Sequence, residues 1–129
     1  MNAENTKLLL TRYPVLYGMT NTVNPWDQNN PRPFHAIEGF GIECGDGWFD
    51  IIDKLSKQIE DLKVGAVAVQ VKEKYGTLRF YLNGYNEKID KFIRTAERKS
   101  AKTCEVCGKP GKLHTDGWCY VSCKEHEER

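Results

Sequence analysis

The feature that most constrains this chain is a set of four metal-binding residue types near its C-terminus, arranged as two close pairs. Cys104 and Cys107 form a C-x2-C pair, Cys123 and His126 form a C-x2-H pair, and 15 residues lie between the pairs. A two-residue spacer lets one tight turn present two ligands to a tetrahedral ion, and the intervening loop can return the second pair to it. The pattern predicts a zinc site with these four residues as its ligands.

Two neighbouring residues leave the ligand set open. Cys119 or His114 could replace one of the four, although the spacing from Cys119 to Cys123 is less usual than C-x2-H. A redox dithiol at Cys104 and Cys107 is the competing interpretation, but no βαβ pattern surrounds the pair. Four protein ligands leave no place for water, so we expect a structural rather than a catalytic zinc ion.

Residues 104–129 are therefore predicted to form a zinc module that is disordered without its metal, because they contain few large apolar side chains. We expect Trp118 and Tyr120 to pack over the metal-binding turns or against the rest of the chain. Residues 1–103 would form an α+β domain. Within it, residues 1–41 comprise an N-terminal helix and a loop rich in Pro and Asn, with Trp26, Phe34 and Phe40 packed on the core.

Hydrophobic periodicity predicts the elements of this domain. Residues 5–12 form a helix with Leu8, Leu9 and Leu10 inward, and residues 48–62 form a second helix with Asp46 as its N-cap. Residues 67–83 form a hairpin that turns at 74–76, with Val67, Val69 and Val71 on its apolar face, and residues 86–102 form the last helix. The predicted fold is α+β: an antiparallel hairpin packed on two helices, with a C-terminal zinc-bound knuckle.

The other face of the hairpin is the predicted partner-binding surface, because it combines basic side chains with a tyrosine. This composition suits phosphate contact and base stacking, although it also suits an ordinary solvated sheet face. Basic residues of the last helix would extend the surface if they lay on the same side. The candidate residues are Lys72, Lys74, Arg79, Tyr81, Arg94 and Arg98.

Charge and composition limit the partner and the compartment. The net charge of +1 does not select a partner, but residues 38–61 hold seven acids and two lysines, whereas residues 88–112 hold eight basic residues and three acids. The sequence has no apolar run of membrane-spanning length and no signal-peptide pattern. Five cysteines in a metal-like spacing fit a reducing compartment, so we expect a cytoplasmic protein in which Cys44 is an inert small hydrophobe.

Three segments carry a resemblance. Residues 43–48 (ECGDGW), 70–81 (QVKEKYGTLRFY) and 104–111 (CEVCGKPG) resemble small proteins encoded by phages and prophages, and the similarity extends from about Phe40 onward. It implies a phage accessory protein in the cytoplasm of a bacterial host, acting on a host protein, such as a defence component, or on nucleic acid. The tail alone is similar to treble-clef and zinc-ribbon modules, but the chain has only three residues after His126 for the helix that usually follows the second pair.

Two classes of function follow. We favour a binding protein, because no catalytic residues are convincingly spaced. The alternative is a metal-assisted nuclease, since Cys104, Cys107, His114 and Asp116 faintly resemble HNH-type endonucleases, although the usual Asp-His pair is missing. A third pattern, the acids Glu43, Asp46 and Glu73 beside Arg79, would suit Mg²⁺ or acid–base chemistry, but it is more simply explained by a helix cap and a cross-strand pair of Glu73 with Arg79.

Overall fold

The computed structural model describes residues 1–19 and 41–127. In these ranges the helices are α1 (Ala3–Arg12), α2 (Phe49–Asp61) and α3 (Glu87–Ser100), and the strands are β1 (Ile42–Glu43), β2 (Ala68–Lys74), β3 (Thr77–Leu82), β4 (Lys112–His114) and β5 (Tyr120–Ser122). The α+β prediction is confirmed at this level. The Pro- and Asn-rich loop, with Trp26, Phe34 and Phe40, lies outside the described residues. None of the helices in the described ranges has both the length and the apolar composition to cross a bilayer.

A three-stranded sheet organises the N-terminal part of the molecule. Strand β2 pairs with β3 in antiparallel fashion and with β1 in parallel. Tyr75 (φ 54°) and Gly76 (φ 89°) form the two-residue turn between β2 and β3, and positive φ at both positions is what a type I′ hairpin turn requires. Sequence periodicity did not predict β1, because a strand of two residues is too short to show alternation.

The predicted apolar face of β2 is partly wrong. Val69 is 41% exposed, whereas Ala68 is buried. The register between β2 and β3 shifts between Ala68 and Gln70, and such a bulge moves the side chains on one side of it to the opposite face of the sheet. Beyond the bulge the alternation is as predicted, with Val71 buried and Lys72 on the other face.

The helices and the sheet share one hydrophobic core. Ile52, Leu55 and Ile59 of α2 join Ile89, Ile93 and Ala96 of α3, together with Val71, Leu78 and Phe80 of the sheet. Helix α1 contributes Leu9, which is fully buried, but Leu8 is 39% exposed, so the expectation that all three leucines point inward is wrong. A helix has only one face toward the core, and three consecutive residues cannot share it.

Asp46 is not the N-cap of the helix that follows it. A 3₁₀ turn at Asp46–Trp48 precedes α2, and the Asp46 carboxylate instead accepts hydrogen bonds from the backbone N–H of Asn2 (2.8 Å) and from Asn5 Nδ2 (3.2 Å). The Asn2 N–H is the main reason why the pKa of Asp46 is lowered. The carboxylate thus lies at the N-terminus of α1, where the helix dipole favours a negative charge.

Candidate metal centre

The four predicted ligands converge at the C-terminal end of the described chain. One ligand atom from each of Cys104, Cys107, Cys123 and His126 lies within 4.8 Å of all the others. The Cys107 and Cys123 sulfurs are 3.7 Å apart, and His126 Nδ1 is 3.6 Å from Cys104 Sγ and 3.2 Å from Cys123 Sγ. Ideal tetrahedral zinc would place two sulfurs about 3.8 Å apart and a sulfur and a nitrogen about 3.6 Å apart. The cluster therefore has the dimensions of a Cys₃His metal site, with Nδ1 as the histidine ligand.

The turn that carries Cys104 and Cys107 surrounds the Cys104 sulfur with backbone N–H donors. Gly108 N–H donates to Cys104 O (3.0 Å) and Cys104 N–H donates to Lys109 O (2.8 Å), which close the turn around the first pair. Burial raises the pKa of the Cys104 thiol, but N–H groups of Cys123, Cys107 and Val106 bond to its sulfur and together lower that pKa to about 6. A thiolate is the form that binds a metal, so the fold prepares this sulfur for coordination.

The second pair is electrostatically matched to the first. Hydrogen bonds that the imidazole donates to the Cys123 and Cys104 sulfurs raise the pKa of His126. Burial is the largest single effect on Cys123 and raises its pKa, but the hydrogen bonds from His126 and Cys107 together lower it. The 3₁₀ turn Lys124–His126 that follows Cys123 places the imidazole beside both sulfurs. The short C-terminal segment thus delivers its ligand without a long helix.

His114 and Cys119, the alternative ligands, are not part of the cluster. His114 Nε2 lies 2.9 Å from Ser122 Oγ, and its ring stacks on Tyr120 with centroids 4.5 Å apart. Cys119 lines a cleft beside Trp118 instead. Among the described residues, the Cys104–His126 cluster is the one group of His, Cys, Asp and Glu with metal-binding geometry, so the acids Glu43, Asp46 and Glu73 do not form a metal site.

Residues 45–48 form the surface on which the first metal-binding turn sits. Gly47 N–H donates to Glu105 O (2.8 Å), Gly45 N–H donates to the Glu105 carboxylate (2.9 Å), and Trp48 Nε1 donates to Thr103 O (2.9 Å). A Cβ on Gly47 would lie 2.1 Å from Cys104 O and 2.6 Å from Gly108 N, so only glycine allows this approach. From the sequence, this segment is predicted only to begin a helix, because no local pattern indicates that it contacts residues 103–108.

A second contact joins the β4–β5 hairpin to the turn of the β2–β3 hairpin. A Cβ on Gly76 would lie 2.5 Å from Leu113 Cδ1 and 3.2 Å from Tyr120 N, and Val121 is buried in the common core. Trp118 is 79% exposed, so the expectation that it packs against the protein is wrong, whereas Tyr120 is half-buried. The predicted domain boundary at residues 103–104 stays a prediction, and packing across it is extensive.

The candidate partner-binding residues fall into two groups. Lys72 lies directly opposite Arg79, and Tyr81 opposite Gln70, so these side chains share the polar face of the sheet with Lys74. Arg94 and Arg98 lie on the exposed side of α3, which packs against the apolar face. The six candidate residues therefore lie on three elements, β2, β3 and α3, and in two different layers of the molecule.

The predicted ion pair between Glu73 and Arg79 does not form. Glu73 is opposite Leu78, and its carboxylate accepts the Gly76 N–H at 2.8 Å, which stabilises the turn. Arg79 instead faces Lys72, with Glu43 on the far side of Lys72 in β1. In the part of the chain that the structure describes, Arg79 Nε is buried without a hydrogen-bond partner. The polar face thus carries two cations in register with one carboxylate across the three strands.

Comparisons with known proteins give no match. No protein-family model matches the chain, no curated protein matches it, and no solved structure matches it. The resemblance to phage and prophage proteins therefore stays a prediction.

Proposed function

We propose that the cluster binds one structural Zn²⁺ and that the protein is a phage-type accessory protein, which acts by binding a macromolecule in the bacterial cytoplasm. The observation that carries the proposal is the convergence of three thiols and one imidazole within 4.8 Å. Zinc prefers this donor set, and four protein ligands occupy every tetrahedral position, as in structural sites. The thiols must be reduced to bind it, which supports a reducing compartment.

The role of the ion is to fix the C-terminal segment on the α+β domain. Residues 104–127 contribute Leu113 and Val121 to the shared core, and the turn at Cys104 bonds to the 45–48 segment. The two ligand pairs lie at opposite ends of residues 104–127 and converge on one site. A bound ion would therefore hold both ends of this segment against the α+β domain. The zinc thereby positions the exposed β4–β5 loop next to the hairpin turn.

Binding rather than catalysis is supported by the coordination. A catalytic zinc keeps one position for water or substrate, and the four side chains of this cluster leave none. His114, the base of the alternative nuclease, contacts Ser122 and Tyr120 rather than the cluster. The surface available for a partner includes the polar sheet face with Lys72, Lys74 and Arg79.

The metal assignment is tested by elemental analysis of protein purified without chelators. We expect one zinc per chain, loss of zinc in Cys107→Ser and His126→Ala, and retained zinc in the matched controls Cys119→Ser and His114→Ala. Wild-type protein without a transition metal, or controls that lose as much zinc as the ligand variants, would refute the site.

The binding role is tested by affinity purification of the tagged protein from a bacterial host, with mass spectrometry and nucleic-acid analysis of the eluate. A partner that is retained by the wild type and lost from the zinc-free His126→Ala variant supports the proposal. Divalent-dependent cleavage of DNA or RNA that disappears in His114→Ala would replace it with the nuclease alternative.

A further inference from the structure

The zinc segment and the β2–β3 hairpin enclose a cleft whose walls are aromatic. This turn cleft has a volume of about 430 Å³ and is lined by Glu73, Lys74, Tyr75, Gly117, Trp118 and Cys119. Its volume lies in the range of small-molecule and nucleotide pockets. Tyr75 is 71% exposed and Trp118 is 79% exposed, which is unusual for two large aromatic side chains at one site. Two largely exposed aromatic side chains thus lie at the junction of two hairpins.

The backbone that carries both aromatic side chains is held by contacts between the two hairpins. Tyr75 occupies a turn that the Glu73 carboxylate stabilises through the Gly76 N–H (2.8 Å). The loop of Trp118 belongs to the β4–β5 hairpin, which packs its Leu113 against Gly76. An aromatic side chain on a rigid backbone loses little conformational entropy when a ligand binds. Binding at this cleft therefore has a smaller entropy cost than binding to the same side chains on a mobile loop.

Positive charge lies next to these rings. Lys74 is exposed, and its Nζ lies 5.5 Å from the centroid of the Tyr75 ring. The same sheet face carries Lys72 and Arg79 directly opposite each other, with Glu43 on the other side of Lys72, so that two cations face one carboxylate. The carboxylate that lines the cleft, on Glu73, is already bound to a backbone N–H. Cations beside stacked aromatic surfaces are the chemistry that single-stranded nucleic acids require.

We propose that the turn cleft binds single-stranded nucleic acid by stacking unpaired bases on Tyr75 and Trp118, with Lys74 contacting the phosphate backbone and Lys72 and Arg79 extending the path along the sheet face. The inference rests on the proposed function, because it names the partner class of the same binding protein. Duplexes bind less well, since their base faces are covered by neighbouring pairs. Little sequence preference is expected, because every base has a face to stack.

The test is a fluorescence-anisotropy titration of the full-length, zinc-loaded chain against a labelled oligothymidylate of about 12 nucleotides. Replacing Trp118→Ala should weaken binding roughly 5- to 150-fold, which is the range for loss of one base–aromatic stack. Tyr75→Asn should have a comparable effect while preserving the turn, because asparagine tolerates positive φ. Replacing Lys74→Gln should make the slope of log affinity against log salt shallower by about 0.7.

Tyr85→Ala is the matched control. Tyr85 is also exposed, at 53%, but it follows the other end of β3, roughly 20 Å from the turn along the strand. Its removal should leave affinity within about twofold of the wild type. Circular dichroism and zinc content check that each variant is folded.

Three results would overturn the inference: no salt-dependent binding of the oligonucleotide by the wild type, equal affinity for a duplex of the same length, or unchanged affinity in both Trp118→Ala and Tyr75→Asn. A salt-insensitive protein partner in the affinity purification, together with absent oligonucleotide binding, would overturn this inference and leave the binding role standing. Failure of both experiments would remove the proposed function as well.

Discussion

Replacing Gly47 with alanine tests whether the metal-binding turn is docked on the α+β domain as described. The added Cβ would lie 2.1 Å from Cys104 O and 2.6 Å from both Glu105 C and Gly108 N. All three are backbone atoms, so no side-chain rotation relieves the contact. The turn would have to move by about 1.4 Å to reach an ordinary carbon–oxygen contact distance of about 3.5 Å. Gly47 does not have positive φ, so the cost comes from the contact and not from the backbone angle.

The expected cost follows from the bonds that this movement breaks. Three hydrogen bonds hold the turn at this surface, from Gly45, Gly47 and Trp48 to residues 103–105, at 2.8–2.9 Å. At about 0.5–1.5 kcal/mol each, and allowing for partial relaxation, we expect Gly47→Ala to lower the free energy of unfolding by roughly 2–4 kcal/mol. For a chain of this length that corresponds to a fall in Tm of roughly 6–15 °C.

The measurement is thermal and urea unfolding of the zinc-loaded protein, followed by circular dichroism. Gly84→Ala is the matched control, because a Cβ at Gly84 meets nothing within 4 Å and its φ is not positive. The control should be neutral or up to about 1 kcal/mol more stable. If Gly47→Ala unfolds within about 0.5 kcal/mol of Gly84→Ala, the docking contact contributes nothing to stability and the reasoning is refuted.

Three further outcomes are expected. Removing the metal with a chelator should lower the Tm of the whole chain, because Leu113 and Val121 belong to the common core; hydrogen exchange confined to residues 104–127 would contradict this. Ser100→Ala should cost about 1–3 kcal/mol in urea unfolding, because its buried Oγ is the acceptor for a backbone N–H of β3 (2.9 Å), and an unchanged midpoint would argue against that bond. Stability should fall as pH rises from about 9 toward 12. Burial raises the pKa of Cys44 from 9.0 and that of Tyr13 from 10.0, each to about 12, so both groups lose their protons on unfolding in this range. Urea midpoints that stay constant between about pH 9 and 12 would exclude the effect.

The correct predictions came from patterns that depend on local spacing. Each of the two Cys/His pairs is set by one turn, so their spacing alone indicates the cluster. The helix at residues 49–61 and the turn at Tyr75–Gly76 were likewise readable, because helical periodicity and a glycine at a positive φ are local requirements. The prediction for Val69 is wrong because a bulge in β2 interrupts the alternation of buried and exposed residues. The prediction for Leu8 is wrong because only one narrow face of α1 is buried.

By itself the sequence indicated the Cys and His residues of the cluster, the three helices and the β2–β3 hairpin, because each of these follows from residues close together in the chain. Only the tertiary structure decided what those elements touch. It placed Gly47 against Cys104, bonded Asp46 to the start of α1 and left Trp118 and Tyr75 lining one cleft. Such contacts join residues up to about half the chain apart, and they are fixed by how the core packs and which strands pair, neither of which a local pattern encodes.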